Sequence, residues 1–304
     1  MEVPVARIYG EIGLTMAEQI LAQAGRVEER SDVEYAIHDG LSQKGHLYSP
    51  KAAGKYPALI AVHGGGWRLS MRENYRYLGP WLAERGYVVF SVTYRLSAPG
   101  QKSFPEAVQD VRAALQFMKG KAAELKVDPE RVGLIGDSAG GHLASLVALA
   151  GEHPLFKNGN RSDPYGGLST QVKAVATVYG VYDFVQQWCH DQISRPREHI
   201  VERFLGTSLI DDRRAYFDAS PLSYVSAKNN ATAFLVAWGT EDDIVDPKNQ
   251  GAAFLEALKR AGYYARSAIL PGAPHFWIGD PLDEVGSHSG FFAPRLLRFL
   301  QARL

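Results

Sequence analysis

Residues Gly136-Asp137-Ser138-Ala139-Gly140-Gly141 join the apolar run Val132-Gly133-Leu134-Ile135 to a helical run of small residues over 143–150, and that junction restricts the possible folds more than any other stretch. G-x-S-x-G between a strand and a helix reads as a nucleophile elbow. A serine in so sharp a turn sits in strained backbone geometry, so its neighbours two residues away on either side must lack side chains that would collide with the strand or the helix. Gly136 and Gly140 meet that need. The turn would lift the Ser138 hydroxyl above the sheet, where free backbone N–H groups and the positive end of the following helix face it.

Around the elbow, short extended candidates and the continuous apolar run Ala58-Leu59-Ile60-Ala61-Val62, of the kind a strand buried on both faces shows, alternate with helical patterns. Candidate strands lie at 33–37, 45–48, 58–62, 87–94, 132–135, 172–179, 233–238 and 265–270. Helical patterns fall at 75–85, 103–125, 248–261 and 291–302, the second opened by Ser103-Phe104-Pro105-Glu106 read as a capping box. Eight strands alternating with helices predict a mostly parallel α/β sheet with helices on both faces, the elbow closing the fifth strand. No repeat and no Gly/Ser/Pro linker divides the chain, so residues 1–304 read as one domain. An amphipathic helix is expected at 11–30, and the 181–230 stretch, rich in Trp, Phe and Tyr among many charges, reads as a lid-like insert; both are expected cap elements.

Lys plus Arg equals Asp plus Glu at 33 each, with no basic cluster, which argues against a nucleic-acid partner. No segment approaches bilayer-spanning length and no leader pattern opens the chain, so no membrane partner is expected and a cytoplasmic protein is. One cysteine, Cys189, excludes an internal disulfide, and no Cys/His cluster has metal-site spacing, so neither metal nor cofactor is expected. A homodimer is left open.

A serine hydroxyl needs a general base to become a nucleophile, and that base needs a carboxylate to orient it. Of nine histidines, only His275 and His288 follow the 233–238 strand. His275 lies in the turn-rich loop Pro271-Gly272-Ala273-Pro274-His275-Phe276-Trp277, directly after the last strand, and is the candidate base. The acid must come from Gly239-Thr240-Glu241-Asp242-Asp243-Ile244-Val245-Asp246. Asp246, ahead of Pro247 and a helical pattern, reads as an N-cap. Local physics does not separate Asp242 from Asp243. His63-Gly64-Gly65-Gly66-Trp67 follows the third strand, the position from which a backbone N–H completes an oxyanion hole.

Taken together, His63-Gly64-Gly65-Gly66-Trp67, Tyr94-Arg95-Leu96, Phe104-Pro105-Glu106-Ala107 with Asp110, the elbow through His142, Ala219-Ser220-Pro221, Gly239-Thr240-Glu241-Asp242 with Val245, and His275-Phe276 resemble the α/β-hydrolase superfamily. Within it the chain is similar to the hormone-sensitive-lipase-like carboxylesterases, nearest the small bacterial acetyl- and feruloyl-esterase-like hydrolases, over nearly its whole length. It departs from the lipase-like branch at Ser97-Ala98-Pro99-Gly100, where Ala-Pro-Glu is usual. The resemblance implies Ser138, Asp242 and His275 as triad and the backbone N–H groups of Gly65, Gly66 and Ala139 as oxyanion hole. It implies hydrolysis of a small-molecule ester, short-chain or with an aryl or sugar group, through an acyl-enzyme. Trp67 and Trp188 are the candidate walls of the substrate pocket. Two other readings accompany it: an arylformamidase, other amidase or acyltransferase using the same triad, and a non-catalytic ligand-binding member, which would have lost triad residues; none is missing here.

Overall fold

The computed structural model describes residues 25–157 and 163–304. Among the described residues, eight strands form one sheet in the order β1-β2-β4-β3-β5-β6-β7-β8. They are β1 (Val27–His38), β2 (Leu41–Pro50), β3 (Tyr56–Val62), β4 (Val88–Val92), β5 (Val127–Asp137), β6 (Ala174–Val178), β7 (Ala233–Gly239) and β8 (Ala265–Leu270). The first two pairings, β1 with β2 and β2 with β4, are antiparallel, and all the others are parallel. The sheet is therefore mostly parallel and eight-stranded, as the apolar runs predict.

Burial on both faces explains those runs. Along β3, Ala58, Ile60 and Val62 enter one core cluster while Leu59 and Ala61 enter the cluster on the opposite face. The covering helices are α1 (Leu78–Ala83), α2 (Glu106–Gly120), α3 (Ala139–Ala150), α4 (Pro154–Lys157), α5 (Phe184–Ser194), α6 (Ile200–Leu205), α7 (Arg213–Ala219), α8 (Ala253–Arg260) and α9 (His288–Arg303). Helices α5 to α7 make up the 181–230 insert. Among the described residues, no helix is long and apolar enough to cross a membrane.

Two local expectations differ. Most of the 11–30 helix lies outside the described residues, but its last residues, from Val27 on, begin β1. The capping box at Ser103 and Glu106 does not form: Pro105 is the N-cap of α2, and Ser103 Oγ and Glu106 Oε2 are buried without hydrogen-bond partners. The Ser103 N–H, which the Glu106 side chain was expected to take, donates instead to the Phe204 carbonyl at 3.3 Å.

The Tyr-Arg-Leu and Asp110 motifs are structural. Asp110, fully buried on α2, accepts from the Arg95 N–H at 2.7 Å and from its guanidinium Nη2 at 2.7 Å, and meets His38 Nδ1 at 2.6 Å. The two cationic partners compensate the desolvated carboxylate and tie the antiparallel edge of the sheet to α2.

Candidate active site

Strand β5 ends at Asp137 and α3 begins at Ala139, so Ser138 alone turns the chain, at φ 51° and ψ −119°. A Cβ on Gly136 would stand 2.2 Å from the Gly140 carbonyl oxygen, and one on Gly140 would stand 1.9 Å from that of Val62. No side chain fits at either position, which is the constraint read from the motif. The Ser138 N–H is anchored on the Val178 carbonyl at 2.8 Å.

The C-terminal ends of β7 and β8 bring the other two side chains to it. His275 Nε2 lies 2.9 Å from Ser138 Oγ, and its Nδ1 lies 2.7 Å from Asp242 Oδ2. Because a carboxylate only accepts, the Nδ1 proton points at Asp242 and Nε2 is left to accept the serine proton. The second carboxylate oxygen of Asp242, Oδ1, accepts the Ile244 and Val245 N–H groups at 3.0 and 2.9 Å, which fixes the carboxylate plane. All three side chains are buried, and His275 packs against the Tyr179 ring at 4.4 Å. Asp243 is exposed, and His288 stands at the start of α9. Asp246 accepts from the Lys248 N–H beyond Pro247, as a cap would.

Ser138 opens into a cavity of about 400 Å³ whose lining includes Gly65, Gly66 and Ala139. Gly65, at φ 107°, sits where a Cβ would meet the Leu69 carbonyl oxygen at 2.4 Å, and its own carbonyl accepts the Arg68 and Leu69 N–H groups. This tight turn carries the glycine loop over the elbow. Tyr94 braces the loop from below, its hydroxyl donating to the His63 carbonyl at 2.9 Å. From the side, Asp137 accepts the Gly64 N–H and the Tyr75 hydroxyl, the latter at 3.1 Å; full burial nevertheless pushes the Asp137 carboxyl up to about 7.

Trp67 lines the cavity, buried and stacked on Phe204 with ring centroids 4.6 Å apart. Trp188, the other expected wall, does not line it: its indole N–H donates to Glu202 Oε1 at 2.8 Å and its ring packs on the core beneath the insert. The insert meets the cavity instead through Val181, Gln187, Asp191, Arg195, Glu198 and Val201, and Phe276 stands at the rim. These residues carry no motif, and only the length of the insert hinted at them. Among the described residues, no group of three or more His, Cys, Asp or Glu could hold a metal ion.

The family model BD-FAE matches residues 46–258. The chain is 34% identical over 222 residues to the esterase LipQ of Mycobacterium tuberculosis, covering 72% of this chain and 50% of that protein. It is 32% identical over 210 residues to the probable carboxylic ester hydrolase LipM of the same organism, covering 68% and 46%. The chain thus spans about half the length of these relatives. The solved esterase Est2 of Thermogutta terrifontis superposes with a TM-score of 0.71 at 23% identity over 91% of each chain, a likeness of fold.

Proposed function

The chain belongs to the BD-FAE family, and from that premise we propose that it is a serine carboxylic-ester hydrolase acting through an acyl-enzyme. The observation that carries this reading is the single imidazole, His275, held between Ser138 Oγ and Asp242 Oδ2 at the edge of a cavity bordered by Gly65, Gly66 and Ala139. The esterase names of the relatives support it.

In this mechanism His275 Nε2 takes the hydroxyl proton as Ser138 Oγ attacks the ester carbonyl carbon. The tetrahedral oxyanion is received by the N–H groups of Gly65, Gly66 and Ala139, preorganised by the tight glycine turn and the start of α3. The protonated His275, its charge balanced by Asp242, gives the proton to the departing alkoxide, and the acyl group stays on Ser138. A water, deprotonated by His275, then attacks the acyl carbon and restores the serine. Nothing in these steps calls for a metal or organic cofactor. The reading extends to a cytoplasmic protein, supported by the single cysteine, Cys189, which is exposed and unpaired; association of two copies is read by sedimentation.

Ser138→Ala deletes the nucleophile and no core volume, so ester hydrolysis falls by about 10⁴- to 10⁶-fold with the fold retained. A phosphonate ester should label Ser138 stoichiometrically. Comparable turnover by the alanine variant overturns the serine mechanism, and faster turnover of formyl-arylamines than of p-nitrophenyl esters moves the reading to an amidase.

A further inference from the structure

The two peptide units that hold Asp242 are themselves held from the insert. The Ile244 N–H, which donates to Asp242 Oδ1, belongs to the peptide whose carbonyl is that of Asp243, and that carbonyl takes His190 Nε2 at 2.9 Å. The Val245 N–H, the second donor to Oδ1, belongs to the peptide whose carbonyl is that of Ile244. That carbonyl takes Gln187 Nε2 and Arg195 Nη2, each at 3.0 Å. Gln187 and His190 lie on α5 and Arg195 is its C-cap. Asp191, one helical turn from both Gln187 and Arg195, accepts from the two of them, at 2.9 and 2.6 Å, and so aims both donors at one carbonyl. Since both partners of Gln187 Nε2 are acceptors, the amide orientation is fixed. Since a carbonyl cannot donate, His190 Nε2 carries a proton.

We propose that α5 is a positioning element for the triad acid, with Arg195 its principal residue and Gln187 and His190 its supports. This rests on the reading of Ser138, His275 and Asp242 as a catalytic triad. A peptide whose carbonyl accepts a charged N–H is polarised, and its own N–H becomes a stronger donor. Each of the two bonds on Asp242 Oδ1 is thus the far end of a chain that starts on α5. Their joint pull keeps Oδ1 occupied and leaves Oδ2 to the imidazole. Gln187, Asp191 and Arg195 also face the cavity, so one short helix touches both the space for substrate and the support of the acid. Arg195 touches no reacting atom; it acts through Asp242.

A double-mutant cycle tests this on the full chain with p-nitrophenyl acetate. Arg195→Met should lower kcat by about 10- to 100-fold with KM within about twofold, and Arg195→Lys should recover part of the loss. In the Asp242→Asn background the same Arg195→Met change should cost less than about threefold, because the carboxylate it orients is gone. An equal fold-loss in both backgrounds, or a loss confined to KM, overturns the proposal and makes Arg195 a structural or substrate contact. If Asp242→Asn alone keeps full kcat, the triad reading fails and the proposal with it. Should Arg195→Met not fold, His190→Ala, a truncation of a half-buried side chain feeding the other peptide, decides by the same criterion of additivity in the two backgrounds.

Discussion

The indole N–H of Trp67 donates to His142 Nδ1 at 3.0 Å, and Nε2 of the same ring faces the Ala219 carbonyl at 2.8 Å. Nδ1 must therefore be the acceptor and Nε2 the donor, and the ring is neutral. This one imidazole, on the elbow helix, joins the glycine loop to the insert, and the Trp67 N–H is the neighbour that excludes a second proton.

A pH dependence of stability follows. Burial pushes His142 down to about 3 from an ordinary 6.5, so the unfolded chain binds the proton more readily than the folded one. Stability from this group is intact above pH 6.5 and is lost as pH falls toward 3, at up to about 1.4 kcal/mol per pH unit. His63, pushed down by burial to about 4, acts with the same sign, whereas Asp137, raised by burial to about 7 from 3.8, acts with the opposite sign over that interval. The wild-type melting temperature should fall between pH 6.5 and 4. His142→Gln should be less stable at pH 7 yet lose less on acidification, because one of the two opposing histidines is gone. Parallel melting curves for the two proteins across that range would refute the assignment.

Asp242 and Asp243 should differ sharply when tested. Asp242→Asn keeps the size of the side chain but presents the imidazole with either a donor or a weaker, uncharged acceptor, costing about 10⁴ in kcat. Asp243→Asn leaves its exposed side chain in water and its carbonyl on His190, and should change kcat by less than about threefold. Rates near neutral pH, with thermal melts to confirm folding, check both; a severe loss at Asp243 and a mild one at Asp242 would reverse the roles.

What could be read in the sequence and what could not divide along the range of the forces involved. The central strands were visible because a strand buried on both faces, such as Ala58 to Val62, must be apolar throughout, whereas β1, with exposed residues along its length, was read only over 33–37. Ser138 and its flanking glycines were visible because the clash at 1.9 Å is imposed by the turn itself. Asp242 and Asp243 were inseparable by local reasoning because both ride the same loop, and what separates them is a histidine 33 residues on, met at 2.7 Å. The family pattern pointed to Asp242, the carboxylate that meets His275, where residue physics chose neither. Trp188 was misplaced because an aromatic residue among charges does not disclose which face of its helix meets the cavity; Glu202, on the next helix, takes its N–H. Arg195 gave no signal of this role, since the carbonyl it holds, that of Ile244, lies 49 residues away.

The acyl preference follows from the size of the cavity and the charges in its lining. At about 400 Å³ it lies near the small end of the roughly 300–1,000 Å³ typical of ligand sites. Val181, Val201, Val245 and Trp67 supply apolar wall near Ser138, and each methylene laid against them gains about 0.8 kcal/mol, close to fourfold in kcat/KM. Leu69, Met71, Ile200, Ile244 and Phe276 extend that wall. The Arg68 and Glu198 pair, at 2.9 Å, and the Arg195 and Asp191 pair, at 2.6 Å, interrupt it with charges that a longer chain would have to desolvate or displace. Across p-nitrophenyl esters, kcat/KM should rise from acetyl, peak by about hexanoyl and then decline. A maximum at decanoyl or beyond, or activation at a lipid interface, would mean that neither the cavity volume nor these charged pairs limit the substrate.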